Sequence, residues 1–260
     1  MRVEPDPLTA LRLQLEFGVD EAIVDAPIDR FAVAATPSPA TVKNASSARR
    51  PAAPKAPGGE SASAKSLADA AQDVPSLEAA IRGFEGCTLK RTATNTVFGD
   101  GDPMAGVMMI GEAPGADEDR LGKPFVGVSG QLLDRMLAAI GLDRTKVFIT
   151  NMVYWRPPGN EKPSQLQIAQ CLPFVLRLIA LARPRLLVLV GGISAGTLLG
   201  REEGITRLRG RWYDFQPLDG GPPIPAMPTF HPAYLLRQPA QKRESWRDFL
   251  AIQDKLRQIG

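Results

Sequence analysis

The residues best suited to chemistry fall in one run, Gly111-Glu112-Ala113-Pro114-Gly115-Ala116-Asp117-Glu118-Asp119, continuing through Pro124-Phe125-Val126-Gly127 to Ser129-Gly130. Carboxylates and glycines packed this closely are costly in a core, because a buried charge must be paired or hydrogen-bonded. Phe125 is most simply a core residue, although in an open pocket its face could stack on a planar base. Two residues further along add to the set. Asn151 offers one acceptor and two donors on a planar amide, suited to capping a turn or to reading an amide-like ligand through paired hydrogen bonds. His231 is the only histidine in 260 residues and precedes Pro232, which stiffens the turn. Ser129-Gly130 and Gly191-Gly192 each precede an expected helix, where free N–H groups suit phosphate.

Positioning these residues requires a sheet. Apolar stretches predict strands over Val107–Ile110, Val147–Thr150, Leu186–Val190 and Ala226–Phe230, and helical patterns fall over 129–141, 164–182, 193–199 and 239–257. Ser164 and Gln167 form a capping-box pattern at the start of the second helix. Strands alternating with helices imply an α/β fold with a mostly parallel sheet covered on both faces. In such sheets ligands bind outside the carboxyl ends of the strands. The four strand ends lead into Gly111-Glu112, Asn151, Gly191-Gly192-Ile193-Ser194 and His231-Pro232, so four polar or glycine-rich segments converge on one edge.

Composition limits the remaining possibilities. Two cysteines, Cys87 and Cys171, are too few for a disulfide framework or a self-contained metal site. No uninterrupted apolar run approaches the roughly 18 residues of a membrane span, and the N-terminus shows no signal-peptide pattern. The expected location is the cytoplasm, with nucleoid association in a prokaryote. Residues 1–80 carry 8 Lys/Arg against 11 Asp/Glu, whereas 81–260 carry 23 against 17. The positive excess, rich in Arg, either aids solubility or marks a polyanion-binding face. Residues 1–35 read as a short N-terminal helical segment, with leucines at 8, 11, 13 and 15. Residues 36–65 read as a flexible Ala/Pro/Ser-rich linker, and 66–260 as the main domain, with Pro75 interrupting its first helical pattern.

Three spaced motifs resemble the uracil-DNA glycosylase superfamily, closest to its family 4. They are Gly111-Glu112-Ala113-Pro114-Gly115 with Glu118-Asp119 and Pro124-Phe125-Val126-Gly127; Ile149-Thr150-Asn151 with Arg156-Pro157-Pro158-Gly159-Asn160; and His231-Pro232-Ala233-Tyr234-Leu235-Leu236-Arg237. The resemblance covers about residues 84–252. It implies a three-layer α/β/α sandwich that flips uridine out of DNA and cleaves its N-glycosidic bond, a step in base excision repair. Ala113, Phe125 and Asn151 would then contact the base, with Phe125 stacking on it and Asn151 bonding its O4 and N3 edge. His231 would stabilise the negative charge on the departing base. Leu235, with Leu236, would fill the space left in the DNA helix, while Arg237 and the N–H groups near Ser129 and Ser194 would hold phosphates. Ala113 stands where the family 1 motif has an aspartate, so Glu112, with Glu118 as second choice, would orient the water or stabilise the sugar cation.

Family 4 also implies a [4Fe–4S] cluster on four cysteines. At those positions this chain has Phe84, Cys87, Trp155 and Cys171, so no cluster and no other cofactor or metal is expected, with the two aromatics filling the volume. The expected substrate is uracil-containing DNA, single- or double-stranded, with no membrane contact. A monomer is expected, with residues 1–65 free to hold a protein partner. The competing expectation is a damage sensor that binds uracil-DNA with little or no turnover. A Rossmann-type nucleotide enzyme is weaker, because no G-x-G-x-x-G follows the first strand.

Overall fold

The computed structural model describes residues 58–259. The helix expected over the first 35 residues and most of the expected linker lie outside them. Helix α1, Gly58–Ala70, begins inside the stretch read as linker. Its small residues let it pack closely: Ala64 and Ala68 are buried, and Arg177 donates to the Ala71 carbonyl through Nε (3.1 Å) and Nη2 (2.6 Å). A composition that reads as flexible therefore also serves a close helix contact. Pro75 does not interrupt a helix. It sits in the first turn of α2, Val74–Gly83, where Asp73 caps the Ser76 N–H at 2.9 Å.

Six strands form one sheet: β1 (Asp100–Gly101), β2 (Val107–Gly111), β3 (Phe148–Asn151), β4 (Leu186–Val190), β5 (Tyr213–Phe215) and β6 (Ile224–Thr229). Their order is β1-β3-β2-β4-β6-β5. The four inner strands are parallel and are the four expected from sequence. The antiparallel edges β1 and β5 have too few residues to show a periodic pattern. The helices between and after the strands are α3 (Ala116–Leu121), α4 (Val128–Ala138), α5 (Gln165–Ala182), α6 (Gly192–Leu199), α7 (Ile205–Leu208), α8 (Pro232–Arg237) and α9 (Lys242–Ile259).

Strand periodicity divides the core into two layers. Met108 and Ile110 of β2, with Leu187 and Leu189 of β4, join a cluster containing Leu77 of α2 and Phe174 and Leu178 of α5. Val107 and Met109, with Val188 and Val190, face Leu133 and Leu137 of α4 and Phe249 and Ile252 of α9. Helices thus cover both faces, giving an α/β/α sandwich. Helix α5 begins with the expected box: Ser164 Oγ accepts from Gln167 N (3.3 Å), and Gln167 Oε1 accepts from Ser164 N (2.8 Å). By length and composition α5 is apolar enough to cross a membrane, but here Phe174, Val175, Leu178 and Ile179 are buried against the sheet and α1.

Helix α1 is therefore part of the cooperative unit. Ala68→Asp places an unpaired carboxylate at a position 1% exposed, and its expected cost is about 3 kcal/mol or more in urea unfolding. Lys65→Ala, on the exposed face of the same helix, is expected to stay within about 0.5 kcal/mol.

Candidate active site

The parallel register sets Gly111 beside Asn151 at the carboxyl edge of the sheet. A cleft of about 440 Å³ opens there, lined by Glu112, Ala113, Phe125, Ser129, Asn151, His231 and Arg237 among others. These seven come from the sequence-derived set. Glu118 also borders the cleft, but its carboxylate is committed to the loop. Glu118 Oε1 accepts from the N–H groups of Val126 and Gly127, each at 2.9 Å, and Oε2 accepts from Gly115 at 3.1 Å. Three backbone donors satisfy the carboxylate, so Glu118 shapes the loop, and Glu112 is a cleft carboxylate without such bonds. The neighbouring Asp119 is likewise structural, its Oδ1 accepting from Thr94 N (2.8 Å) and Asn95 N (3.0 Å).

Phe125 has a φ of 53°, a left-handed conformation that a bulky residue adopts only when its surroundings impose it. Arg144 supplies part of that constraint, donating to the Pro124 carbonyl at 3.1 Å and to the Phe125 carbonyl, while Asp100 and Asp134 hold the guanidinium. Gly130 supplies more, because a Cβ there would overlap the Phe125 carbonyl oxygen. A Cβ on Gly111 would overlap both the Asn151 amide oxygen and the Phe125 ring. The missing side chains at these two positions are what let the loop close over the strand ends. The Phe125 ring then stacks on His231, with centroids 5.3 Å apart and planes at 29°.

Asn151 is 1% exposed, and neither its Nδ2 nor its Oδ1 has a hydrogen-bond partner. Leaving a buried polar atom unpaired costs roughly 1–3 kcal/mol, so this amide is poised for a ligand that supplies both an acceptor and a donor. His231 caps α8: its Nδ1 accepts from Ala233 N at 3.1 Å. In the neutral ring that bond assigns the proton to Nε2, leaving an N–H donor. Burial, helped by the nearby Arg237 guanidinium, lowers the His231 pKa from the ordinary 6.5 to about 4, against a smaller opposing pull from Glu118. Glu112 is pushed the other way: burial raises its carboxyl, and Lys162 partly offsets this.

Two expectations, for Leu235 and Glu118, are corrected. Leu235 is 1% exposed and packs with Leu132 and Phe230, whereas Leu236 is 37% exposed. Only Leu236 can reach outward, because adjacent residues on a helix face different ways. Ser194 is buried, its hydroxyl donating to the Gly191 carbonyl at 3.2 Å; the expectation there concerned the neighbouring N–H groups, not this side chain. Glu118 has the loop role already described. Sequence reading also missed Lys162 and Tyr234 on the cleft wall and Arg144 beneath it. Lys162 lies just beyond the Arg156–Asn160 motif, and that proximity was the available signal.

The four positions matched to cluster cysteines meet in one buried group. Cys87 and Cys171 hydrogen-bond to each other. The Phe84 ring lies 6.4 Å from Trp155 and edge-on to Phe174 at 5.2 Å, and Trp155 Nε1 donates to Thr96 Oγ1 at 3.1 Å. Two thiols and two packed rings do not fit a cubane cluster, which requires four ligands.

A parallel sheet whose strand ends gather an unpaired amide, a neutral imidazole and an aromatic ring is the architecture of a base-excising enzyme. The family model for the uracil DNA glycosylase superfamily matches residues 98–251, and the chain belongs to that superfamily. It is 39% identical over 180 residues to a type-4 uracil-DNA glycosylase of Pyrobaculum aerophilum, covering 68% of this chain and 91% of that protein. It is also 39% identical over 181 residues to one from Saccharolobus solfataricus (68% and 83%) and 38% identical over 158 residues to one from Thermotoga maritima (60% and 80%).

The single histidine makes its environment directly measurable. Its imidazole titration, followed by NMR on untagged protein, is expected near pH 4 rather than 6.5. The unfolded chain binds more protons between those values, so this group's contribution to folding stability is complete above about 6.5 and is lost as pH falls towards 4.

Proposed function

We infer that the protein is a uracil-DNA glycosylase of base excision repair, a monofunctional DNA N-glycosylase that hydrolyses the bond between uracil and deoxyribose. The observation that carries this reading is the buried, unpaired Asn151 amide beside Phe125 and His231. Uracil has the complementary edge: its O4 accepts from Nδ2, and its N3–H donates to Oδ1. Cytosine reverses that pattern and would leave both amide atoms opposed to like groups.

The reaction breaks the C1′–N1 bond, with the electron pair leaving on N1 and spreading to O2. Nε2–H of His231 is the donor available to O2, and a preorganised donor in a closed site stabilises developing charge more than one in water does. His231 acts as a neutral dipole, since its lowered pKa keeps it uncharged near neutrality. Water adds to C1′, and its proton leaves towards Glu112 or solvent. As a carboxylate, Glu112 also offsets positive charge on the sugar. Phe125 supplies a wall for the base, Leu236 reaches towards the vacated space in the DNA, and Arg237 with the backbone near Ser129 meets phosphate. A binder without turnover would have no need for Glu112 and His231 together on one cleft.

His231→Ala or Asn151→Ala is expected to lower single-turnover uracil release by about 100-fold or more. Glu112→Gln is expected to have a smaller effect, since leaving-anion stabilisation dominates. Counting abasic sites in a uracil-containing oligonucleotide after alkali treatment reads all three, and release unaffected by either of the first two changes would overturn the assignment.

The same proposal holds that the chain works without an iron–sulfur cluster, supported by the aromatic fill at Phe84 and Trp155. Freshly purified protein is expected to lack both stoichiometric iron and cluster absorbance; either one would refute this. A monomer in the cytoplasm, acting on single- or double-stranded DNA, with the part of residues 1–65 that precedes α1 available to a protein partner, completes the reading.

A further inference from the structure

We propose that the partly buried Arg209 and the buried Asp248 form a clamp that positions His231. Asp248 lies on the inner face of α9 and is 1% exposed. Its Oδ2 accepts from Thr229 Oγ1 at 2.8 Å and from Arg209 Nε at 3.0 Å, and its Oδ1 accepts from Arg209 Nη2. Arg209 also donates to the Glu244 carboxylate (Nη1 to Oε2, 3.0 Å) and to the Glu244 carbonyl (Nη2, 2.6 Å). The guanidinium carbon sits 5.5 Å from the Phe230 ring centroid, and that ring lies 4.9 Å from Tyr234 on the cleft wall.

The clamp thus holds Thr229 by a hydrogen bond and Phe230 by its ring face, the two residues immediately before His231. Two backbone bonds complete the grip. Gly210 N donates to the Pro228 carbonyl at 3.2 Å, and Gly191 N donates to the Thr229 carbonyl at 2.9 Å. Gly210 has a φ of 73°, and a Cβ there would come within 3.0 Å of Asp248 Oδ1, so the Arg209–Gly210 turn closes directly on the carboxylate.

Neither Arg209 nor Asp248 lines the cleft. They are positioning residues that act through the end of β6. An apolar contact at the same place could supply packing, but a forked ion pair fixes direction as well as distance. A donor displaced by about 1 Å can lose some 100-fold in rate, which gives a function to a charge pair whose net stability gain is small.

This inference rests on the base-excision reading, and the test keeps the two apart. Untagged full-length wild type, Asp248→Asn and Thr229→Val are compared in single-turnover uracil release and in the imidazole 1H–15N spectrum of the sole histidine. Each variant is expected to release uracil about tenfold or more slowly, with KM changed by no more than about twofold. The imidazole is expected to leave the pure Nε2–H tautomer, and its titration to move up from about 4 towards 6.5. Variants that melt at lower temperature yet keep the wild-type rate and imidazole spectrum would overturn the clamp. Should Asp248→Asn fail to fold, Thr229→Val, which removes only the hydroxyl link, decides by the same two readouts. Absence of uracil release by wild type would sink the activity alone, because the imidazole spectrum still decides the clamp.

Discussion

The parallel pairing of Ile110 with Thr150 and of Gly111 with Asn151 determines what the carboxyl edge of the sheet can do. A slip of one residue between β2 and β3 would turn every side chain of one strand to the opposite face. Asn151 would then point into a helix layer, and Thr150, whose hydroxyl donates to the Phe98 carbonyl at 2.7 Å, would lose that bond. The apolar faces enforce the register. Met109 and Ile149 belong to one core layer, while Met108, Ile110 and Phe148 belong to the other. Burial on both sides of the sheet thus fixes the position of a polar amide that contributes nothing to packing.

The loop after β2 uses its carboxylates for opposite purposes. Glu118 spends its acceptor capacity on three backbone N–H groups and so behaves as a piece of main chain. Glu112 makes no hydrogen bond through its carboxylate among the described residues and keeps a raised pKa from burial. Holding Phe125 at a positive φ stores strain of about 1–3 kcal/mol. The restraints from Arg144 and Glu118 and the bare backbone of Gly130 offset it. A glycine-rich, acidic loop is therefore stiff here, although its composition suggests the reverse.

Most of the frame was legible in the sequence because its signals are long or repeated. The four inner strands are apolar runs bounded by turns, and Ser164 with Gln167 announces α5. The motif residues Glu112, Phe125, Asn151 and His231 do meet at one cleft. What escaped depends on direction. Leu235 and Leu236 are equivalent as letters, and only the six-residue helix α8 decides which is buried. Glu112 and Glu118 could not be separated until the loop's N–H groups were located. The beginning of helix α1, before residue 66, was hidden because Ala and Ser suit both a linker and a tight helix contact. Arg144 and Arg209 were invisible as positioning groups, since their partners lie on distant elements.

His231 remains uncharged near neutrality, and this separates two processes that ionic strength affects differently. In the proposed reading, capture of DNA depends on charges such as Arg237 meeting phosphate, and such contacts weaken steeply as counterions compete. In the same reading, stabilisation of the leaving base depends on a fixed N–H dipole at short range on a largely buried ring, which mobile ions screen far less. Added salt would therefore reduce how often the enzyme finds a lesion while leaving almost unchanged how quickly it excises a base already bound.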